Sequence, residues 1–137
     1  MKIILIDDDS IAMENIFLTI QLDLPSFEVR QFSYPEEFEK AKIDDIAIVL
    51  LDIMFAGDGE FEGGFDLGLK FYRKFKEINQ SVPVIIFTNK TRASIEVKEI
   101  IYIENNHDVI LEKPTISMES IILTIKQLLR IVPTENQ

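Results

Sequence analysis

Apolar residues fall along this chain in two rhythms. Short, nearly unbroken runs occupy residues 2–6, 47–51, 82–87 and 109–111. Between and after them, apolar positions recur every three or four residues: Met13, Ile16, Phe17, Ile20 and Leu24; Leu67, Phe71, Phe75 and Ile78; Ile95, Ile100, Ile101 and Ile103; and Met118, Ile121, Ile122, Ile125, Leu128, Leu129 and Val132. Unbroken runs of this length suit strands buried on both faces, and the three-to-four spacing suits amphipathic helices. Phe27 and Val29 alternate with polar neighbours, as on an edge strand. Ser33 and Glu36 stand at capping-box spacing and predict a short helix running to about Lys42. Pro25 and Pro133 terminate the first and last helices. The fourth helix is expected from about Arg92 to Asn105.

Strand and helix alternate five times, with no repeat, linker or second domain between them. That order predicts an α/β fold: a doubly wound parallel sheet, helices on both faces, right-handed crossovers. One domain is expected over residues 1–132, followed by a polar tail, 133–137. The segment 55–64, with its four glycines and three acids, reads as a solvated loop.

Composition narrows the chemistry. A chain of 137 residues with 47% apolar content can bury a core. No cysteine and a single histidine, His107, exclude a disulfide framework, a thiolate zinc site and a cysteine nucleophile. The apolar N-terminal run is too short for a membrane span, so a soluble, cytoplasmic protein is expected, without membrane binding. A net charge of −10 argues against direct nucleic-acid binding and favours a cation or a basic partner surface.

Reactive side chains gather at strand ends: Asp7, Asp8 and Asp9 after the first strand, Asp52 after the third, Thr88 at the end of the fourth, Lys113 after the fifth. Ligand chemistry in open α/β sheets collects outside these carboxyl ends. Clustered carboxylates repel one another unless a cation joins them, and Mg2+ suits a few carboxylates, water and a phosphate. With a hydroxyl and a lysine beside them, the set amounts to a phosphoryl-transfer site.

The stretches Ile3-Ile4-Leu5-Ile6-Asp7-Asp8-Asp9, Leu50-Leu51-Asp52-Ile53-Met54, Val84-Ile85-Ile86-Phe87-Thr88 and Leu111-Glu112-Lys113-Pro114 resemble, in this order, the receiver domain of two-component response regulators. The resemblance implies a flavodoxin-like sheet of order 2-1-3-4-5 flanked by five helices. It implies that Asp52 is the phosphoacceptor, served by a sensor histidine kinase or a histidine phosphotransfer protein. Asp8, Asp52 and the backbone carbonyl of Met54 would bind Mg2+, Asp7 acting mostly through water. Thr88 and Lys113 would contact the phosphoryl group, and the Lys113–Pro114 bond would be cis. Such a domain assists only its own phosphorylation and dephosphorylation and is not otherwise an enzyme; here its signal would pass to a downstream protein partner.

Departures from the family pattern concern output. Phe55 replaces the usual proline, the loop 55–64 is longer and acidic, and Asn89 stands where a small residue is common. Ile110 occupies the place of the aromatic that reports phosphorylation, with Tyr102 as a more distant candidate for that duty. Two rival readings differ in class. Asp7-Asp8-Asp9-Ser10, with Thr88 and Lys113, also resembles haloacid dehalogenase-like phosphatases, which would make Asp7 the nucleophile and Asp9 the general acid/base; that reading leaves Asp52 without a role. The other is a receiver-fold binding module that works without phosphorylation.

Overall fold

The structure, a computed structural model, describes residues 1–53, 65–88, 95–112 and 117–130; for Ser10, Phe65, Asp66, Leu67 and Thr88 it describes the backbone alone. Ten elements alternate: β1 (Lys2–Ile6), α1 (Ser10–Asp23), β2 (Glu28–Phe32), α2 (Pro35–Ala41), β3 (Ile46–Leu51), α3 (Phe65–Ile78), β4 (Val84–Thr88), α4 (Val97–Asn105), β5 (Val109–Glu112) and α5 (Met118–Leu128). The strands form one sheet in the order β2-β1-β3-β4-β5, and every neighbouring pair is parallel. The fold is therefore the doubly wound, flavodoxin-like arrangement expected from the sequence. Among the described residues no helix is long and apolar enough to cross a membrane.

The unbroken apolar runs serve two cores at once. Side chains alternate across a strand, so Ile3, Leu5, Ile48, Leu50, Ile85 and Phe87 face α1 and α5. Their neighbours Ile4, Ile6, Val49, Leu51, Val84 and Ile86 face α2, α3 and α4. Phe71 and Phe75 belong to the second core and meet Phe38 of α2 edge-on, at 5.7 and 6.1 Å between ring centroids.

Four local expectations shift. The cap of α2 lies one residue later than the Ser33–Glu36 spacing suggests: Tyr34 is the N-cap and Pro35 the first helical residue. Glu37, not Glu36, accepts the backbone N–H groups of Ser33 (2.8 Å) and Tyr34 (3.3 Å). Proline at the first helical position lacks only an N–H that has no helical partner there, which fixes this start. Helix α4 begins at Val97, because Glu96 has extended backbone, φ −58° and ψ 140°; Ile95 precedes it and is buried. Helix α5 ends at Leu128, before Arg130 turns left-handed at φ 57°; Val132 and Pro133 lie outside the described residues. Ile78, expected on the inner face of α3, is 74% exposed, and Tyr72 and Lys76 are buried in its stead.

Those two residues enter a polar network at the amino-terminal ends of β4 and β5. The Asp108 carboxylate accepts the Tyr72 hydroxyl at 2.5 Å and the Val84 N–H at 2.8 Å, and pairs with the Lys76 ammonium at 3.1 Å. Lys76 also donates to the Val82 carbonyl at 2.8 Å. Burial, then the hydrogen bond to Asp108, pushes the Tyr72 phenol far above its ordinary range, so it stays a donor. Charges this deep are tolerated only when paired and hydrogen-bonded, and here α3, the start of β4 and the turn before β5 supply the partners.

Gly68 sets the seat of α3. A Cβ at this position would lie 2.3 Å from the Ile53 Cα and 2.6 Å from its carbonyl oxygen, so helix backbone rests directly on the backbone just past β3.

Two stability measurements follow. Asp108→Asn strips the charge from a partner of a buried ammonium and is expected to cost about 3–5 kcal/mol, read as a drop in the denaturant midpoint at unchanged slope. Gly68→Ala is expected to cost about 3 kcal/mol, the upper end of ordinary overpacking, because the obstacle is backbone; a midpoint within error of wild type would show that α3 does not sit on Ile53.

Candidate functional site at the carboxyl ends of the strands

The pairing of β1 with β3 builds the site. Ile6 stands opposite Leu51, so the residues that follow them, Asp7 and Asp52, leave the sheet side by side. Both remain tied to it: the Asp52 N–H donates to the Ile6 carbonyl at 2.9 Å, and the Asp7 N–H to the Phe32 carbonyl at 3.0 Å. Their side chains are 4% and 3% exposed. Asp8 is half-buried beside them. One carboxylate oxygen from each of Asp7, Asp8 and Asp52 lies within 4.8 Å of the others.

Asp9 has separate work. It is the N-cap of α1, and its Oδ1 accepts the Ala12 N–H at 3.1 Å. Its own N–H donates to Asp7 Oδ1 at 2.9 Å, which turns the Asp7 carboxylate inward. The acidic triplet thus splits into two residues turned to the cluster and one that starts the helix. A helix N-terminus carries unpaired N–H groups and partial positive charge, so a carboxylate is the natural cap.

Carboxylates at this separation repel one another unless positive charge stands with them. The donor set fits a hard divalent cation: oxygen ligands alone, with anionic charge to match, gathered at a strand-end crevice. Among the described residues the cluster holds no thiolate or imidazole for a soft metal to prefer.

The other expected residues stand as follows. The backbone of Thr88 closes β4 and pairs in register with Glu112, the last residue of β5, so the fourth and fifth strands end together at this pole of the sheet. Met54, Asn89, Lys113 and Pro114 lie outside the described residues, as does the loop 55–64. Beside Asp7 the structure adds a cleft of about 160 Å³ lined by Met13, Gln31, Phe32, Ser33 and Glu37. Sequence reasoning did not gather these residues; the only signal was that β2 neighbours β1, which delivers the end of β2 to the same pole. A larger groove of about 420 Å³ opens between α2 and α3, over Phe38, Phe71 and Phe75. It reaches Ile46 at the start of β3 and Asn79 past the end of α3, so it belongs to the opposite pole, away from the carboxylates.

No family profile matches the sequence, and no curated protein matches it. Solved structures do. A CheY-like response regulator receiver domain protein from Methanospirillum hungatei superposes with a TM-score of 0.73 at 16% identity, over 94% of this chain and 93% of that one. A response regulator receiver domain protein from Clostridium thermocellum gives 0.72 at 21% identity, over 94% of each chain. The BeF3-activated receiver domain of DrrB, a Thermotoga maritima protein, gives 0.71 at 20% identity, over 94% and 97%. With strand order, helix placement and nearly full coverage agreeing, the chain has the fold of response-regulator receiver domains.

Proposed function

We propose that this protein is a phosphoacceptor of a two-component phosphorelay, phosphorylated on Asp52 in the presence of Mg2+. The observation that carries the reading is the cluster of Asp7, Asp8 and Asp52 at the carboxyl ends of β1 and β3. Asp52 is the member rooted at the end of a central strand, 3% exposed and hydrogen-bonded through its N–H to β1. A nucleophile held this way approaches a donor in one orientation only, which is the larger part of what phosphoryl transfer needs.

In the reaction an Asp52 carboxylate oxygen attacks phosphorus in line. The bond from phosphorus to the donor nitrogen or oxygen breaks, and the leaving group keeps the electron pair. Asp8, Asp52 and the Met54 carbonyl would hold Mg2+, with Asp7 acting through water. Bound there, the ion offsets the negative charge that the donor brings to an already anionic crevice. Thr88 would donate its hydroxyl, and Lys113 its ammonium, to phosphoryl oxygens. The product carries about −1.5 to −2 charge by analogy with other phosphorylated side chains. A histidine kinase or histidine phosphotransfer protein would supply the phosphoryl group, and a downstream protein would read it.

The phosphatase reading asks Asp9 for general acid/base work, but Asp9 is committed to the α1 cap. No comparable observation favours the phosphorylation-independent module.

The decisive experiment is intact-mass measurement after incubation with a small phosphodonor and Mg2+. The expected result is a gain of one phosphoryl group in wild type and none in Asp52→Asn. A gain that survives Asp52→Asn would overturn the assignment, and steady turnover of phosphate monoesters lost in Asp7→Asn would favour the phosphatase.

The cation is tested separately. Mg2+ at about 100 times its dissociation constant is expected to stabilise wild type by about 2.7 kcal/mol, and Asp8→Asn to abolish most of that gain. Thermal unfolding with and without Mg2+ reads both effects.

A further inference from the structure

With Ile110 in place of an aromatic on β5, another route must connect the acidic site to the surface. Helix α3 offers one. Its first turn rests backbone to backbone on Ile53, the residue after Asp52, and leaves no slack between them. One turn later it carries Tyr72, then Arg73. Tyr72 is fully buried and anchored to Asp108 at 2.5 Å. Arg73 reaches α4: its guanidinium lies 4.3 Å from the Tyr102 ring centroid and pairs with Glu99 at 2.8 Å. The Tyr102 ring also meets Tyr72 edge-on, 5.8 Å between centroids. Tyr102 is thereby clasped between two consecutive residues of α3.

The two contacts differ in strength in a way that defines a hinge. Tyr72, with Lys76 one turn on, is fixed to Asp108 in the core. The Arg73 side chain is 41% exposed and its partner Glu99 14%, so this ion pair and the cation–π contact lie at the rim of the seam and yield more easily than the buried pair. If residues 52–53 shift, α3 cannot absorb the movement at Gly68 and cannot release Tyr72. Of the ties between α3 and α4, the clasp on Tyr102 and Glu99 at the rim is then the one that can give. On its far side α4 presents Val97 and Ile101, which are 71% and 51% exposed.

We infer that Gly68, Tyr72, Arg73, Tyr102 and Glu99 form a latch between α3 and α4, closed when Asp52 is unmodified and opened when it carries a phosphoryl group. The inference rests on the phosphoacceptor reading and adds the route by which that state reaches α4. It gives Tyr102 the reporting duty, by release from Arg73 rather than by an inward turn beside the acceptor. Coupling of this kind needs a contiguous contact path and an element with two arrangements; here these are the Ile53–Gly68 seat and the docked or released α4.

The test uses the full chain, Mg2+ and beryllofluoride as a phosphoryl mimic. Fluorine NMR reports binding, and hydrogen exchange over residues 97–105 reports the latch. In wild type, beryllofluoride is expected to raise α4 exchange by about threefold or more. Arg73→Gln, at a side chain 41% exposed, and Tyr102→Leu are expected to show the raised exchange without beryllofluoride and no further rise with it. Both should retain the bound-fluoride signal. An undiminished response in both variants would overturn the latch. So would bound fluoride in wild type with α4 unchanged, a result that leaves the phosphoacceptor reading standing. Loss of the fluoride signal in the variants would also overturn it, since the clasp would then support the site rather than read it. No bound fluoride in wild type, or an equal signal in Asp52→Asn, would overturn both readings together.

Discussion

The parallel register of β1 against β3 is the constraint on which the rest depends. Placing Ile6 opposite Leu51 puts Asp7 and Asp52 shoulder to shoulder, each one residue beyond the last apolar position of its strand. A slip of a single residue would move the apolar side chains of one strand to the wrong core and pull the carboxylates apart. The two cores therefore enforce the chemistry: Ile3 and Leu5 cannot exchange places with Ile4 and Ile6 without leaving both α1–α5 and α2–α4 poorly packed. Repulsion in the acidic crevice is sustained by burial elsewhere, as is usual where function and stability compete.

The poles of the sheet handle charge by opposite means. At the carboxyl ends, Asp7, Asp8 and Asp52 bring carboxylate oxygens within 4.8 Å of one another. At the amino ends, Lys76 and Asp108 are almost wholly buried, and neutralise each other among Tyr72, Val82 and Val84. The first arrangement suits a hard divalent cation. The second is self-contained, and it pins the start of β4 to the turn before β5 so that both strands keep their heights.

Much of this was legible in the sequence, and the gaps have physical causes. Strand runs such as 47–51 are unambiguous because a strand buried on both faces needs every position apolar. Their carboxyl-terminal acids follow from chain direction alone, which is why Asp7, Asp8 and Asp52 could be named beforehand. Asp9 was set apart only by the family resemblance, which gives it no metal role, since a cap and a cation ligand ask for the same side chain. The α2 start slipped because Ser33–Glu36 and Tyr34–Glu37 offer the same three-residue spacing, and Pro35 decides between them. The Tyr72–Lys76–Asp108 network was missed because a lysine on an amphipathic helix ordinarily marks the outer face. Only the fold shows a carboxylate 32 residues away in sequence beneath it. The clasp on Tyr102 is hidden for the same reason, being a contact between helices that no periodicity encodes.

The seat of Gly68 on Ile53 also bears on how such a chain can change over generations. That contact ties the first turn of α3 to the backbone just past β3. Loop-closure entropy grows only with the logarithm of length, about 0.6 kcal/mol per doubling. A connection whose two ends are tied in this way is cheap ground for variation, because inserting or losing residues between them changes little more than the closure term. A lineage could lengthen or shorten the chain between β3 and α3 without first re-engineering the scaffold, and position 68 is where that freedom is secured.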